Sequence, residues 1–225
     1  MSRKELTAYP TLSNLQKKTD PQFVNPVMLQ NYLSDEPTEV LLGKSNTLMV
    51  LPYGQDCQPG IVGIVNSGLS ALGFRQTNEV WSVSGNTVVR GTTGRCQWNE
   101  TVDLISIAVW LTPAECRDLQ TATENAYTEL LEVIQQRGFH FPFRFWNYIP
   151  EINDGQGDTE HYKLFCAGRL SAFKKAAITE DHFPAASALG HHTKGGVVYA
   201  LAARYPGEHY SNSLQINAYQ YPRQY

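Results

Sequence analysis

The chain has 225 residues, 42% of them hydrophobic and 11% aromatic, which is ample for one sizeable core and near the upper end for a single domain. Charged residues make up 17% and the net charge is -3, so there is no electrostatic footprint for nucleic acid or an anionic membrane. None of Cys57, Cys96, Cys116 and Cys166 stands in a CxxC pair, the N-terminus has no apolar leader, and no apolar run approaches the roughly 20 residues that span a bilayer. The pattern is that of a soluble, cytoplasmic chain in a reducing compartment, with neither a zinc ribbon nor a redox dithiol.

Residues 1–40 are polar, with Pro10, Pro21, Pro26 and Pro37 scattered through them, and read as an irregular N-terminal arm. Short β-rich runs follow at 47–51, 61–65, 79–83 and 87–90, with Ser84-Gly85-Asn86 as a hairpin turn before the last. A stronger strand, DLISIAVWL, covers 103–111. Thr112, Pro113 and Glu115 then form a capping box with proline at the first helical position. Cys116, Leu119, Thr123, Ala126, Leu130 and Ile134 recur at helical spacing up to Gly138. Residues 139–148 alternate as a strand, with the phenylalanines at 139, 141, 143 and 145 on one side. His140, Arg144, Trp146 and Tyr148 fall on the other, and Pro142 marks an edge or a bulge. Asp158 caps a second helix over 159–176, and strands at 184–190 and 197–203 complete the chain. From residue 79 the order is β-β-β-α-β-α-β-β, an α+β sheet with two helices packed on one face.

Arg144, Cys166, Arg169, His191 and His192 draw attention on chemical grounds. Tyr162, Phe165, Cys166 and Arg169 lie at i, i+3, i+4 and i+7, on the helix face that Phe165 marks as buried. A guanidinium there needs an anion: a structural partner such as Asp158, Glu160 or a carbonyl, or a ligand. Arg144 stands among aromatics, on either an exposed sheet face or a carboxylate-binding one. Cys166 reads as a small core residue, because no base is marked beside it. His191 and His192 are adjacent in a strand and point to opposite faces, a poor metal chelate.

Three stretches together resemble the chorismatase family, in its FkbO-like group: FRFWNYIPEIN at 143–153, EHYKLFCAGR at 160–169 and FPAASALG at 183–190. The matching positions are Arg144, Trp146, Asn147, Tyr148, Pro150, Asn153, Tyr162, Phe165, Cys166, Gly168, Arg169, Pro184, Ala185, Ala186, Ser187, Ala188 and Gly190. SLQINAYQYPRQY at 213–225 is similar to a further family stretch. The resemblance implies two fused YjgF-like domains, the architecture of trimeric chorismate mutase. Here that divides the chain into an arm (1–40), one YjgF-like domain (41–210) and a tail (211–225) leading to a second. The activity implied is cleavage of chorismate to pyruvate and a dihydroxycyclohexadiene carboxylate, or to pyruvate and 3-hydroxybenzoate, with no cofactor and no metal.

The substrate side of that site would comprise Arg144, Tyr148, Tyr162, Cys166, Arg169 and Ala188. Ala188 stands where Ala or Gly is associated with product type, and alanine points to the hydrolytic product. The family's acid is a glutamate of the second domain and has no counterpart here, so turnover is expected to need a second domain, a partner chain or a homo-oligomer. The tail, with Tyr219, Tyr221 and Tyr225, would suit pairing with another chain. The alternative is a module that binds chorismate or a similar aromatic acid without turnover. An imine deaminase on the same fold is disfavoured, because Ala186 stands where that group carries an arginine.

Overall fold

A computed structural model of the chain describes residues 28–71, 77–85 and 87–208. The strands are β1 (Leu29–Ser34), β2 (Thr47–Pro52), β3 (Asn78–Val83), β4 (Val89–Thr93), β5 (Cys96–Glu100), β6 (Leu104–Leu111), β7 (Phe141–Pro150), β8 (Ala185–His191) and β9 (Gly196–Ala203). The α-helices are α1 (Thr38–Gly43), α2 (Leu119–Gln136) and α3 (His161–Lys175). A six-stranded sheet has the order β4-β5-β6-β9-β7-β8, and a three-stranded sheet the order β1-β3-β2. The larger sheet is antiparallel except for β7 and β8, which run parallel because α3 carries the chain across between them.

Strand alternation assigns the two faces of the large sheet. Ile105, Ile107, Val109 and Leu111 of β6, Phe145 and Ile149 of β7, and Val198, Ala200 and Ala202 of β9 pack against α2 and α3. The intervening residues, among them Ala108, Trp110, Tyr148, Val197 and Tyr199, pack against Leu48, Met49, Leu51 and Val83 of the small sheet. This explains why β6 reads as an unbroken apolar run although it is antiparallel: both of its faces are covered, and seven of its eight residues are buried. The expected α+β sheet with two helices on one face is present. The small sheet on the other face is an addition.

Several local expectations need correction. Residues 29–34 and 38–43 form β1 and α1, where an irregular arm was expected; residues 1–27 lie outside the described part, as does the tail 211–225. Residues 61–65 make turns and a single parallel bridge between Val50 and Ile64, not a strand. β3 and β4 belong to different sheets and form no hairpin. The hairpin lies one step later, between β4 and β5, where Gly94 takes φ 57° in a two-residue loop. The expected order therefore holds from Val89 onward, with β5 supplying the strand that residues 79–83 were expected to give.

The capping box of Thr112 and Glu115 forms, with Glu115 N–H donating to Thr112 Oγ1 at 3.2 Å and Thr112 N–H donating to Glu115 Oε2 at 2.7 Å. It closes the turn just before a 3-10 helix over Glu115–Asp118, which has Ala114 in its cap position, and Asp118 then caps α2 by accepting from Thr121 N–H. The second long helix starts at His161 with Glu160 in the cap position and no side-chain cap, so Asp158 does not serve there. The bulge expected at Pro142 is present, as a register shift between Pro142 and Arg144. It breaks the phenylalanine stripe: Phe145 is fully buried, whereas Phe143 is exposed.

Candidate functional site

Around the edge strand β8 the structure gathers the chemistry into two groups, one on each face of the sheet. On the helix side, α3 lies close against α2 because Gly168 faces Gln120, and the buried line of α3 runs through Phe165, Gly168, Ala172 and Phe173. Tyr162, Cys166 and Arg169 therefore flank that line. Tyr162 is exposed, at 47%, while Cys166 and Arg169 are half-buried. The Arg169 guanidinium lies 5.5 Å from the Phe165 ring centroid, and its charge acts on Cys166, Tyr162 and the Tyr127 hydroxyl of α2. No carboxylate lies within ion-pairing distance of Arg169 among the described residues, so neither Asp158 nor Glu160 pairs with it.

Tyr127 and Asn147 were not among the expected site residues, Asn147 being named only as a match to the family pattern. Both are fully buried. Tyr127 Oη–H donates to Asn147 Oδ1 at 2.7 Å, and Asn147 Nδ2–H donates to the Ser187 carbonyl at 2.8 Å. The Tyr127 ring stacks on Phe145 at 4.9 Å and meets Phe173 edge-on at 5.5 Å. Both residues carried a signal. Asn147 alternates with Phe145 and Ile149 on an apolar face, and Tyr127 is one helical turn from Thr123 and Leu130 on the buried stripe. A polar group in such a place costs about 1–3 kcal/mol unless it finds a partner. Ala188, opposite Asn147 in the parallel register, packs against this same core.

Arg144 and Tyr148 stand on the other face. Arg144 donates from Nη2 to Ser187 Oγ and lies 4.9 Å from the Trp146 ring centroid. Trp146 stacks on Tyr199 at 4.8 Å and meets Trp81 edge-on at 5.2 Å. Tyr148 is buried beside Tyr199 at 6.0 Å. As expected, Arg144, Trp146 and Tyr148 share one face. Arg144, like Arg169, has no carboxylate within ion-pairing distance among the described residues. The six expected site residues are thus divided: Tyr162, Cys166, Arg169 and Ala188 on the helix side, Arg144 and Tyr148 opposite. Ser187 joins the two groups, its carbonyl tied to Asn147 and its hydroxyl to Arg144.

Burial pushes the Cys166 thiol up, with Arg169 and Tyr162 opposing it, and the charge of the neighbouring Cys166 followed by burial raises the Tyr162 phenol. Burial also raises the Tyr127 phenol against the charge of Arg169. All three stay protonated at neutral pH. Elsewhere, a cavity of about 10 Å³ lies between the 63–65 segment and the large sheet, lined by Met49, Gln97, Asn99, Ser106 and Tyr199. It has room for about one water and none for an organic substrate. Among the described residues no group of three His, Cys, Asp or Glu side chains is placed to hold a metal, and no helix is long and apolar enough to cross a membrane.

Comparison with known proteins bears on this geometry. The family model for the chorismatase FkbO/Hyg5-like N-terminal domain matches residues 79–202, from β3 through β9. A 3-hydroxybenzoate synthase from Streptomyces hygroscopicus is 40% identical over 106 residues, which are 46% of this chain and 31% of that protein. A chorismatase from Streptomyces rapamycinicus is 34% identical over a stretch of the same length and coverage. The matched stretch is therefore less than a third of each relative. A crystal structure of a chorismatase superposes with a TM-score of 0.69 at 22% identity, covering 82% of this chain and 56% of the other, a likeness of fold. With the family model spanning the large sheet, both long helices and every residue of the arginine groups, the chain belongs to the chorismatase FkbO/Hyg5-like family, as its N-terminal domain.

Proposed function

We propose that the chain is the substrate-binding side of an enzyme that cleaves chorismate to pyruvate and a dihydroxycyclohexadiene carboxylate or a hydroxybenzoate. Arg169 carries the reading: a half-buried guanidinium beside an aromatic core, with no carboxylate partner among the described residues. A planar fork of donors in that state matches a ligand carboxylate. Chorismate is a dianion, and Arg144 offers a second guanidinium across the outermost strand of the sheet. The small side chains of Ala185, Ala186, Ser187 and Ala188 suit a ligand lying along the edge of β8, where Arg144 is tied to Ser187.

Breaking the enol ether requires protonation of its vinyl carbon, and a placed general acid is typically worth about 10²–10⁴-fold. The raised Tyr127, Tyr162 and Cys166 are all too weakly acidic for that task near neutrality. The acid is supplied by a second YjgF-like domain or by another chain, an arrangement supported by the relatives, of which the match covers 31%. All four cysteines are free, which supports a reducing, cytoplasmic setting. The weak acidity of the described groups favours one second reading, binding of chorismate or a similar aromatic acid without turnover.

The test is release of pyruvate from chorismate by the purified protein, with mass analysis of the aromatic product. Turnover supports the enzymatic reading, and the product reports whether Ala188 goes with hydrolysis or with 3-hydroxybenzoate. Binding without pyruvate selects the second reading, and absence of both binding and turnover overturns the two together.

A further inference from the structure

We propose that the cavity between the 63–65 segment and the large sheet is a binding site for one ordered water molecule, held by Gln97, Asn99 and Ser106. Gln97 and Asn99 alternate along β5, and Asn99 stands opposite Ser106 of β6 in the antiparallel register. The three side chains therefore leave the sheet on one face. All three line the cavity, together with Gly63, and neither Arg144 nor Arg169 does. Asn99 is 4% exposed and Ser106 1%.

Their hydrogen-bonding groups are not all matched within the described residues. Gln97 donates from Nε2 to the Gly60 carbonyl at 3.0 Å. A carbonyl only accepts, so this amide cannot turn over, and its Oε1 is buried without a donor. Asn99 donates from Nδ2 to Ser106 Oγ at 3.2 Å, and its Oδ1 is likewise buried without a donor. The Ser106 hydroxyl accepts that bond and keeps its own hydrogen to donate. Two acceptors and one donor thus belong to the walls of a cavity of about 10 Å³, the size of a single water. A water has two hydrogens for the two amide oxygens and a lone pair for the serine, the roughly three bonds that buried waters make.

The rival occupant is a small anion, because a guanidinium is near. Arg90 Nε is buried without a partner, and no carboxylate lies within ion-pairing distance of Arg90 among the described residues. A Cβ built on Gly63 would lie 3.1 Å from Arg90 Nε and 3.3 Å from Asn99 Oδ1, so the charge and the amide oxygen border the same spot. An anion has no hydrogen to give to either amide oxygen, and a cation would be repelled by Arg90. A neutral donor of one heavy atom satisfies both conditions. Through Gln97, whose other amide arm holds Gly60, the water fixes the 60–65 segment against the sheet.

A high-resolution crystal structure of the protein, with a second crystal soaked in bromide, tests the assignment. One density peak is expected within hydrogen-bonding distance of Gln97 Oε1 and Asn99 Oδ1, with no anomalous signal from bromide. An empty cavity overturns the proposal, and a bromide peak there overturns it in favour of an anion site. In solution, 17O relaxation dispersion counts the long-lived internal waters. Gln97→Met places an apolar side chain of equal length at a half-buried position and removes one of the two acceptors. The count is expected to fall by one relative to wild type; an unchanged count overturns the site.

Discussion

Cys166 illustrates how a side chain beside a proposed binding group can look reactive without being so. A thiol is a nucleophile only as its thiolate, and burial disfavours that form here, with the nearby positive charge of Arg169 too weak an offset. Cys57 and Cys96 are pushed further, to about 12, and Cys116 to about 11, again by burial. All four thiols are therefore expected to react with iodoacetamide at pH 7.5 more slowly than a free cysteine, as read by mass spectrometry. Cys166→Ser is expected to leave chorismate binding within about twofold; abolished binding in a folded variant would show that the sulfur does more than pack. At this scale the sequence revealed the residues whose character is conspicuous: an arginine on an apolar helix, another among aromatics. It concealed the buried hydroxyl and amide, because a tyrosine or asparagine inside an apolar stripe looks ordinary until its partner across the core is known. Alternation set Arg144 opposite the phenylalanines; that the helix carrying Arg169 covers the phenylalanine face, leaving the two arginines on opposite sides of the sheet, came only with the packing of Phe145 and Ile149 against the helices.

Among the elements, the contact between α2 and α3 is set at Gly168. A Cβ built there would lie 2.3 Å from the Gln120 carbonyl oxygen and 3.0 Å from the Glu124 nitrogen, both backbone atoms that cannot swing aside. Gly168→Ala is expected to destabilise the fold by about 2–3 kcal/mol, measured by denaturant unfolding, although alanine favours helix over glycine. β8 carries a second test. His191 at its end is buried, and burial lowers its pKa below the ordinary value of 6.5. The unfolded chain then binds a proton that the folded one resists. The contribution is fully present above about pH 6.5 and is lost as pH falls through that value towards the folded pKa. His191→Asn is expected to flatten the fall in denaturant midpoint between pH 7.5 and 5.5 relative to wild type; an unchanged slope would count against it. Elements with a strong periodic pattern, β6 and the body of α2, were legible. Residues 61–65 were not, because a short apolar run with flanking glycines fits a packed turn as well as a strand. β5 escaped because Cys96-Gln97-Trp98-Asn99-Glu100 lacks β-branched residues and owes its place to pairing on both sides.

Viewed whole, the domain has helices on one side of the large sheet, a small sheet on the other, and an outermost strand, β8, whose second edge is unpaired among the described residues. An open edge invites another strand, and natural proteins cover or disrupt such edges. The residues of this edge are uncharged from Ala185 to Gly190, and small apart from Leu189, a pattern that disrupts nothing. Association through it, with the same or a different chain, is therefore expected, and sedimentation velocity at micromolar concentration is expected to give a mass greater than one chain. A purely monomeric boundary would contradict it. Fold class was readable from the order of elements, because the alternation of strands and helices constrains the topology strongly. The three-layer arrangement was not, because nothing local distinguishes a strand of the small sheet from one of the large.

Calorimetric titration of chorismate into the wild-type protein, Arg169→Ala and Lys174→Ala, side by side, reaches the binding role most directly. Saturable binding to wild type is expected, retained by Lys174→Ala and weakened at least about tenfold by Arg169→Ala, as loss of a charged hydrogen-bonding group implies. No binding by the wild-type protein, or equal affinity in all three, would contradict the proposal that this domain holds chorismate.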